Sequence, residues 1–185
     1  MASIILFHST LGLTTGTRKF AEKLIRDGHT VLTPDLFDGE TFRAVEDGVK
    51  KRDALGIPEL MRRAARAAEA GPMASIYVGF SMGAAAAQFL AVTRPGARGA
   101  VLMHAVLPLA AMGTDRWPDV PVQVHASEED PWVDPAVLDA FARTASAQVF
   151  RYTGRAHLFA DESSADYDPR HAEVLIERVR SFVRR

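Results

Sequence analysis

The sequence has no cysteine and almost no net charge, and both absences narrow the kinds of protein it can encode. Without cysteine there is no disulfide, no thiolate nucleophile and no cysteine-bound metal. The 22 basic and 23 acidic residues nearly cancel, which argues against nucleic acid or an anionic membrane as a partner. No apolar run approaches the roughly 18 residues that cross a bilayer, and the N-terminal stretch MASIILFHS lacks the pattern of a signal peptide. We therefore expect a cytoplasmic protein.

The remaining composition favours a single domain, residues 1–185, built from alternating strands and helices. Hydrophobic residues make up 48% of the chain, and no linker or internal repeat divides it. Short runs of valine, isoleucine and leucine are typical of strands buried on both faces of a parallel sheet. The predicted strands are Ser3–His8, His29–Pro34, Ala74–Phe80, Gly99–His104, Val120–Ala126 and Ala147–Tyr152. The predicted helices are Thr15–Arg26, Pro58–Ala70, Met82–Thr93, Pro135–Ala145 and Pro169–Val183.

This alternation predicts an α/β fold with a mainly parallel sheet of about six strands and helices on both of its faces. Phe37–Pro58 mixes charged residues with glycine, so we expect a mobile surface excursion that holds a short helix. The length of the chain leaves no room for a large lid, which predicts a small and open site.

One serine stands between two glycines where the third predicted strand ends and a helix begins, in the stretch Gly79-Phe80-Ser81-Met82-Gly83. A sharp strand–turn–helix bend brings backbone segments together, and glycine at both flanks avoids a clash. The bend projects the Ser81 hydroxyl from the carboxyl edge of the sheet, where ligands bind in α/β folds. Ser81 is therefore the candidate nucleophile. The alternative is a glycine-bounded turn in which Ser81 only caps the helix.

A serine nucleophile needs a base to accept its proton. Among six histidines, His157 follows the last predicted strand, in a loop that would return over Ser81. His8, His104 and His125 lie near strand ends, where backbone groups can satisfy them. The alternative for His157 is a solvated loop histidine.

An imidazole base in turn needs a carboxylate on its other nitrogen. The stretch HASEEDPWVD follows the fifth predicted strand, and Asp130 precedes its proline. Glu128 and Glu129 are close alternatives, and Asp134 is a weaker one. The order Ser81, Asp130, His157 is the order of the catalytic groups in α/β-hydrolases.

The N–H groups that would hold an oxyanion are predicted at Met82 and in the loop after the first strand. That loop reads HSTLGLT, and Thr10 is the candidate donor within it. Gly12 would let the backbone turn close to the site. A plain polar loop is the alternative.

These stretches resemble the dienelactone hydrolase family over nearly the whole chain. The similarity lies in HSTLGLT, GHTVLTPDLFDG, VGFSMGAAAA, VHASEEDPWV and the closing YTGRAHLFADE with its YDP turn. The resemblance implies an α/β-hydrolase fold, with Ser81, Asp130 and His157 as the catalytic residues and Thr10 and Met82 as the oxyanion donors. It implies no cofactor and no metal.

The departures from the family pattern concern the nucleophile and the substrate. Family members that open dienelactones use cysteine, which this chain lacks, and a first-loop glutamate, where this chain has Ser9. Asp161 stands where they carry an arginine for the substrate carboxylate, and an acid there should repel an anion. We therefore expect a serine esterase, and these departures argue against dienelactone as its substrate.

The predicted substrate is a small ester or lactone. A thioesterase, amidase or acyltransferase with the same three groups is an alternative, as is an inactive relative that only binds small molecules. The sequence predicts neither the oligomeric state, monomer or dimer, nor the preferred acyl and alcohol groups. The candidate substrate contacts are Ser9, Leu11, Phe37, Trp132 and Phe159.

Overall fold

The structure is a computed structural model that describes residues 1–185. Six strands form one parallel sheet in the order β2-β1-β3-β4-β5-β6. The strands are β1 (Ser3–Phe7), β2 (Thr30–Leu32), β3 (Ser75–Phe80), β4 (Gly99–Met103), β5 (Val122–Ser127) and β6 (Gln148–Tyr152). The central strands β3, β4 and β5 are buried along their whole length, which explains their unbroken apolar sequences.

Six α-helices cover the sheet. They are α1 (Thr15–Arg26), α2 (Val45–Leu55), α3 (Ile57–Glu69), α4 (Met82–Thr93), α5 (Pro135–Thr144) and α6 (Pro169–Val183). Side chains cap the N-termini of three helices. Thr14, Asp134 and Asp168 accept hydrogen bonds from N–H groups in the first turn of α1, α5 and α6, respectively. No helix is both long and apolar enough to cross a membrane.

The helices divide between the two faces of the sheet and create two cores. Helices α3, α4 and α5 pack on one face, with sheet residues such as Phe7, Tyr77 and Leu102. Helices α1 and α6 pack on the other face, with residues such as Ile4, Val78 and Phe80. The predicted α/β fold, its parallel sheet and its two helical layers are confirmed.

The excursion between β2 and β3 is more ordered than the sequence predicted. The region 37–58 holds the eleven-residue helix α2 and the start of α3. The Gly48 backbone of α2 packs so closely on Thr10 that a Cβ at position 48 would overlap the Thr10 carbonyl. The excursion therefore packs against the loop after β1 and holds it in position. No inserted lid domain lies over the edge of the sheet.

Candidate active site

Ser81 lies in the turn between β3 and α4, and the two flanking glycines make this turn possible. Ser81 has a positive φ of 51°, a region that non-glycine residues rarely adopt. A Cβ at Gly79 would overlap the Gly83 carbonyl, and one at Gly83 would overlap the carbonyls of Phe7 and His8. The Ser81 N–H donates to the Met103 carbonyl at 2.7 Å and fixes the turn to β4.

A hydrogen-bonded chain runs from Ser81 through His157 to Asp130. The Ser81 Oγ lies 2.8 Å from His157 Nε2, and His157 Nδ1 lies 2.7 Å from Asp130 Oδ2. The side chains of His157 and Asp130 are buried, whereas Ser81 is partly exposed. Solvent therefore reaches Ser81, whereas its two partners are shielded from solvent.

Asp130 is oriented by its own loop. The Trp132 N–H donates to Asp130 Oδ1 at 2.9 Å, so that Oδ2 points at the imidazole. Glu128 and Glu129 are exposed, and Asp134 caps α5 instead. Of the four candidate carboxylates, only Asp130 contacts His157.

Two contacts that the sequence did not predict hold the His157 backbone. The His157 N–H donates to Asp166 Oδ2 at 2.9 Å, and Ser127 Oγ donates to the carbonyl of the preceding Ala156 at 2.7 Å. These bonds tie the loop to β5 and to the segment before α6. No local pattern in the sequence reveals such a pairing across nine and twenty-nine residues.

Two backbone N–H groups, one next to Ser81 and one in the loop after β1, have no partner in the protein. Met82 is the first residue of α4, so its N–H has no carbonyl of a preceding turn to bond. The Thr10 N–H also makes no hydrogen bond. The Thr10 loop is held by the Phe42 N–H, which donates to the Leu11 carbonyl at 2.9 Å, and by the close packing of Gly48.

The predicted substrate contacts fall into two groups. Ser9, Leu11, Phe37 and Phe159 have 0% exposure, so in this structure they present no surface to a ligand. Ser9 Oγ accepts from the Leu11 N–H at 3.1 Å, which shapes the loop. Trp132 differs, because it is 46% exposed with its ring centroid 5.8 Å from that of His157. Trp132 alone among the five presents a surface to a ligand.

The expected repulsion of anions by Asp161 has no basis in the structure. Asp161 is fully buried and accepts hydrogen bonds from Thr14 Oγ1 at 3.2 Å and from the Ser163 N–H at 2.9 Å. Burial raises the pKa of this carboxyl. Its role is to fasten the His157 loop to the start of α1, where a Cβ at Gly16 would overlap it.

The other histidines near strand ends are buried, and their environments differ. His8 bonds to the Ser9 carbonyl and to the Leu36 N–H, and His125 bonds to Tyr152 and Gln123. Neither ring nitrogen of His104 has a hydrogen-bond partner. The His104 ring packs edge-on against Phe159, with the two ring centroids 4.6 Å apart. Burial lowers the pKa of His104 well below its usual value.

No group of three or more histidine, aspartate or glutamate side chains is arranged to hold a metal ion. The arrangement at Ser81 is instead that of a hydroxyl beside an imidazole, with the free Met82 N–H next to it. Such a site can carry out nucleophilic attack on a carbonyl with stabilisation of the resulting oxyanion.

Residues 1–185 match the family model of the dienelactone hydrolases. The chain belongs to the dienelactone hydrolase family, as the sequence resemblance predicted, and this family places it among the hydrolases. No curated protein matches the sequence.

Solved structures share the same fold. A dienelactone hydrolase-like promiscuous phosphotriesterase from metagenomic libraries is 23% identical, with 97% of this chain and 83% of that chain covered and a TM-score of 0.79. A protein named m3DLH is 26% identical, with 98% and 85% covered and a TM-score of 0.77. The thioesterase domain from the curacin biosynthetic pathway is 15% identical, with 96% and 90% covered and a TM-score of 0.68. The fold is that of the α/β-hydrolases.

Proposed function

We propose that this protein is a serine hydrolase that cleaves a small carboxylic ester or lactone through an acyl-enzyme intermediate. The observation that carries the proposal is the chain of hydrogen bonds at 2.8 Å and 2.7 Å from Ser81 through His157 to Asp130. A binding protein without chemistry has no need of a strained serine that is bonded to a buried histidine and carboxylate.

The first half-reaction acylates Ser81. The Ser81 Oγ attacks the carbonyl carbon while His157 Nε2 accepts its proton, and Asp130 stabilises the imidazolium that forms. The carbonyl oxygen becomes an oxyanion that accepts hydrogen bonds from the Thr10 and Met82 N–H groups. His157 then gives the proton to the leaving alcohol, and the C–O bond of the ester breaks.

The second half-reaction frees the acid. A water molecule takes the place of the alcohol, gives a proton to His157 and attacks the acyl carbon. The tetrahedral intermediate collapses, and His157 returns the proton to Ser81 Oγ. This scheme uses no metal and no organic cofactor, because the charge that develops is met by N–H groups and by His157 with Asp130.

We also propose a small-molecule partner in place of nucleic acid or membrane, a cytoplasmic location, and an ester as substrate in preference to a thioester or another acyl acceptor. Comparing ester, thioester and amide substrates with the same acyl group would distinguish these reactions.

The nucleophile is tested by hydrolysis of p-nitrophenyl acetate by the native protein and by Ser81→Ala. We expect turnover to fall by a factor of about 10⁴ or more. Ser181→Ala is the matched control, because Ser181 is exposed on α6. Unchanged turnover in Ser81→Ala, or no turnover by the folded native protein, would contradict the proposal.

A further inference from the structure

A cavity of about 730 Å³ lies between α3, α4 and the segment 105–112 that follows β4. Eight of its ten lining residues are hydrophobic. Its volume lies within the range of about 300–1,000 Å³ typical of small-molecule sites. We call it the acyl groove, defined by Met61, Ala65, Ala85, Phe89, Leu107 and Ala111.

The acyl groove includes two residues of α4 that follow the nucleophile at helical spacing. Ala85 and Phe89 follow Ser81 by four and eight residues, a spacing that puts positions on the same face of a helix. The Ala85 N–H donates to the Ser81 carbonyl at 3.4 Å, so the wall of the groove begins one helical turn from the nucleophile.

The wall formed by Leu107 is anchored by a buried side chain. Both amide atoms of Gln88, which is fully buried, bond to the Leu107 backbone: Nε2 donates to its carbonyl at 2.8 Å and Oε1 accepts from its N–H at 2.9 Å. This pair of bonds fixes the segment after β4 alongside α4. The groove is therefore shaped by a specific contact and is open without any rearrangement.

The chemistry of the groove fits an uncharged hydrocarbon chain. Small side chains at Ala65, Ala85 and Ala111 leave the space. Arg62 is its one charged residue, and the Arg62 guanidinium already pairs with Glu59 at 2.6 Å. No free charge is left to bind a carboxylate within the groove.

The position of the groove relative to His157 indicates which half of an ester, acyl or alcohol, it would bind. The ring centroid of His157 lies 6.1 Å from that of His104, and the His104 ring packs on Phe159 of the core on the α1–α6 face of the sheet. The groove lies on the opposite face, with α3 and α4. Because His157 protonates the leaving alcohol in the proposed mechanism, we expect the alcohol on the His157 side and the acyl chain on the groove side.

We propose that the acyl groove binds the acyl chain of the substrate, so that this hydrolase prefers esters of apolar, medium-chain acids of about six to ten carbons. This inference rests on the proposed function. It names a substrate class that is uncharged and longer than a small lactone.

The test varies the two halves of the ester separately. With p-nitrophenol fixed as the leaving group, kcat/KM should rise about fourfold for each added acyl methylene, which corresponds to the transfer of one buried CH₂. From butanoyl to octanoyl the gain should be on the order of 10²-fold. Acetate esters with alcohols of increasing length should show no such gain, and a gain on the alcohol side alone would overturn the inference.

A substitution that fills the groove and a matched substitution outside it provide a second test. Ala65→Phe should lower the ratio of octanoyl to acetyl kcat/KM by about tenfold or more, because the ring occupies the volume of several methylenes. Ala70→Phe is the control, since Ala70 is exposed at the opposite end of α3 and does not line the groove. An unchanged ratio in Ala65→Phe would overturn the inference.

Binding to Ser81→Ala separates this inference from the proposed function. In this variant, calorimetry should detect octanoate binding at least about tenfold more tightly than butanoate, and Ala65→Phe in the same background should abolish the difference. Equal affinities for octanoate and butanoate would overturn the inference about the groove, even if the native protein hydrolyses esters. Chain-length-dependent binding without any ester hydrolysis by the native protein would support the groove and contradict the proposed function instead.

Discussion

At the scale of single residues, Asp130 shows how the tertiary structure distinguishes among neighbours that look equivalent in sequence. Glu128, Glu129 and Asp130 follow one another after β5, and any of them has the right chemistry. Only Asp130 turns inward, because its carboxylate accepts the Trp132 N–H on one oxygen and faces His157 with the other. The direction of a side chain in a loop depends on such contacts and is not encoded in a local pattern.

Replacement of this carboxylate tests its role. Asp130→Asn should lower kcat by a factor of about 10⁴, since an amide neither fixes the tautomer of His157 nor stabilises its cation. Glu129→Gln removes an exposed charge next to it and should leave kcat within about twofold. Steady-state hydrolysis of p-nitrophenyl butanoate measures both, and an Asp130→Asn protein of nearly native kcat would contradict this role.

At the scale of secondary-structure elements, α2 was the least predictable part of the fold. Its sequence VEDGVKKRDAL carries few apolar residues, and no side chain caps its start at Ala44. Contacts with residues outside the helix hold α2 in position: Gly48 packs on Thr10, and Lys51 forms an ion pair with Glu40. The bounds predicted for α1, α5 and α6 agree with the structure within one residue at each end.

The packing of α2 on the Thr10 loop leads to a prediction for Gly48→Ala. The added methyl overlaps the Thr10 carbonyl, so either α2 or the loop must shift. Displacing one oxyanion donor should lower kcat by a factor of about 10–10³. The measurement is kcat together with the free energy of unfolding.

Ala54→Gly is the control for Gly48→Ala. It weakens the same helix by about 1 kcal/mol from an exposed position that does not touch Thr10. If both variants lost the same activity, helix stability and not the position of Thr10 would explain the effect.

At the scale of the whole molecule, buried histidines predict a loss of stability in mild acid. Burial lowers the pKa of His8, His29 and His104, and it lowers the pKa of His125 to about 3. Below about pH 6.5 the unfolded chain binds protons that the folded chain does not, so the free energy of unfolding falls as the pH falls. The raised pKa of Asp161 acts in the opposite sense, because protonation of this buried carboxyl favours the folded state.

Urea unfolding at pH 7, 6 and 5 tests this prediction. His125 alone should remove about 2 kcal/mol between pH 6.5 and pH 5. The free energy of unfolding of His104→Phe should depend less on pH than that of the native protein. The substitution removes one buried histidine with a lowered pKa and breaks no side-chain hydrogen bond. A free energy of unfolding that is constant from pH 7 to pH 5 would contradict the account.

The sequence and the structure agree best where the physics is local or periodic. Continuous apolar runs predicted the six strands, and the two glycines around Ser81 predicted the turn between β3 and α4. The burial of Phe37 and Phe159, the missing partners of His104 and the acyl groove depend on how separate elements pack. No spacing within one segment of the chain contains that information.

The central claim is that Ser81 becomes acylated, and intact-protein mass spectrometry of a reaction with p-nitrophenyl octanoate, quenched in acid, tests it most directly. The account predicts a transient mass increase of one octanoyl group, which peptide mapping places on Ser81 and which Ser81→Ala lacks. Hydrolysis without an adduct on Ser81 in the native protein, together with undiminished hydrolysis by Ser81→Ala, would contradict it.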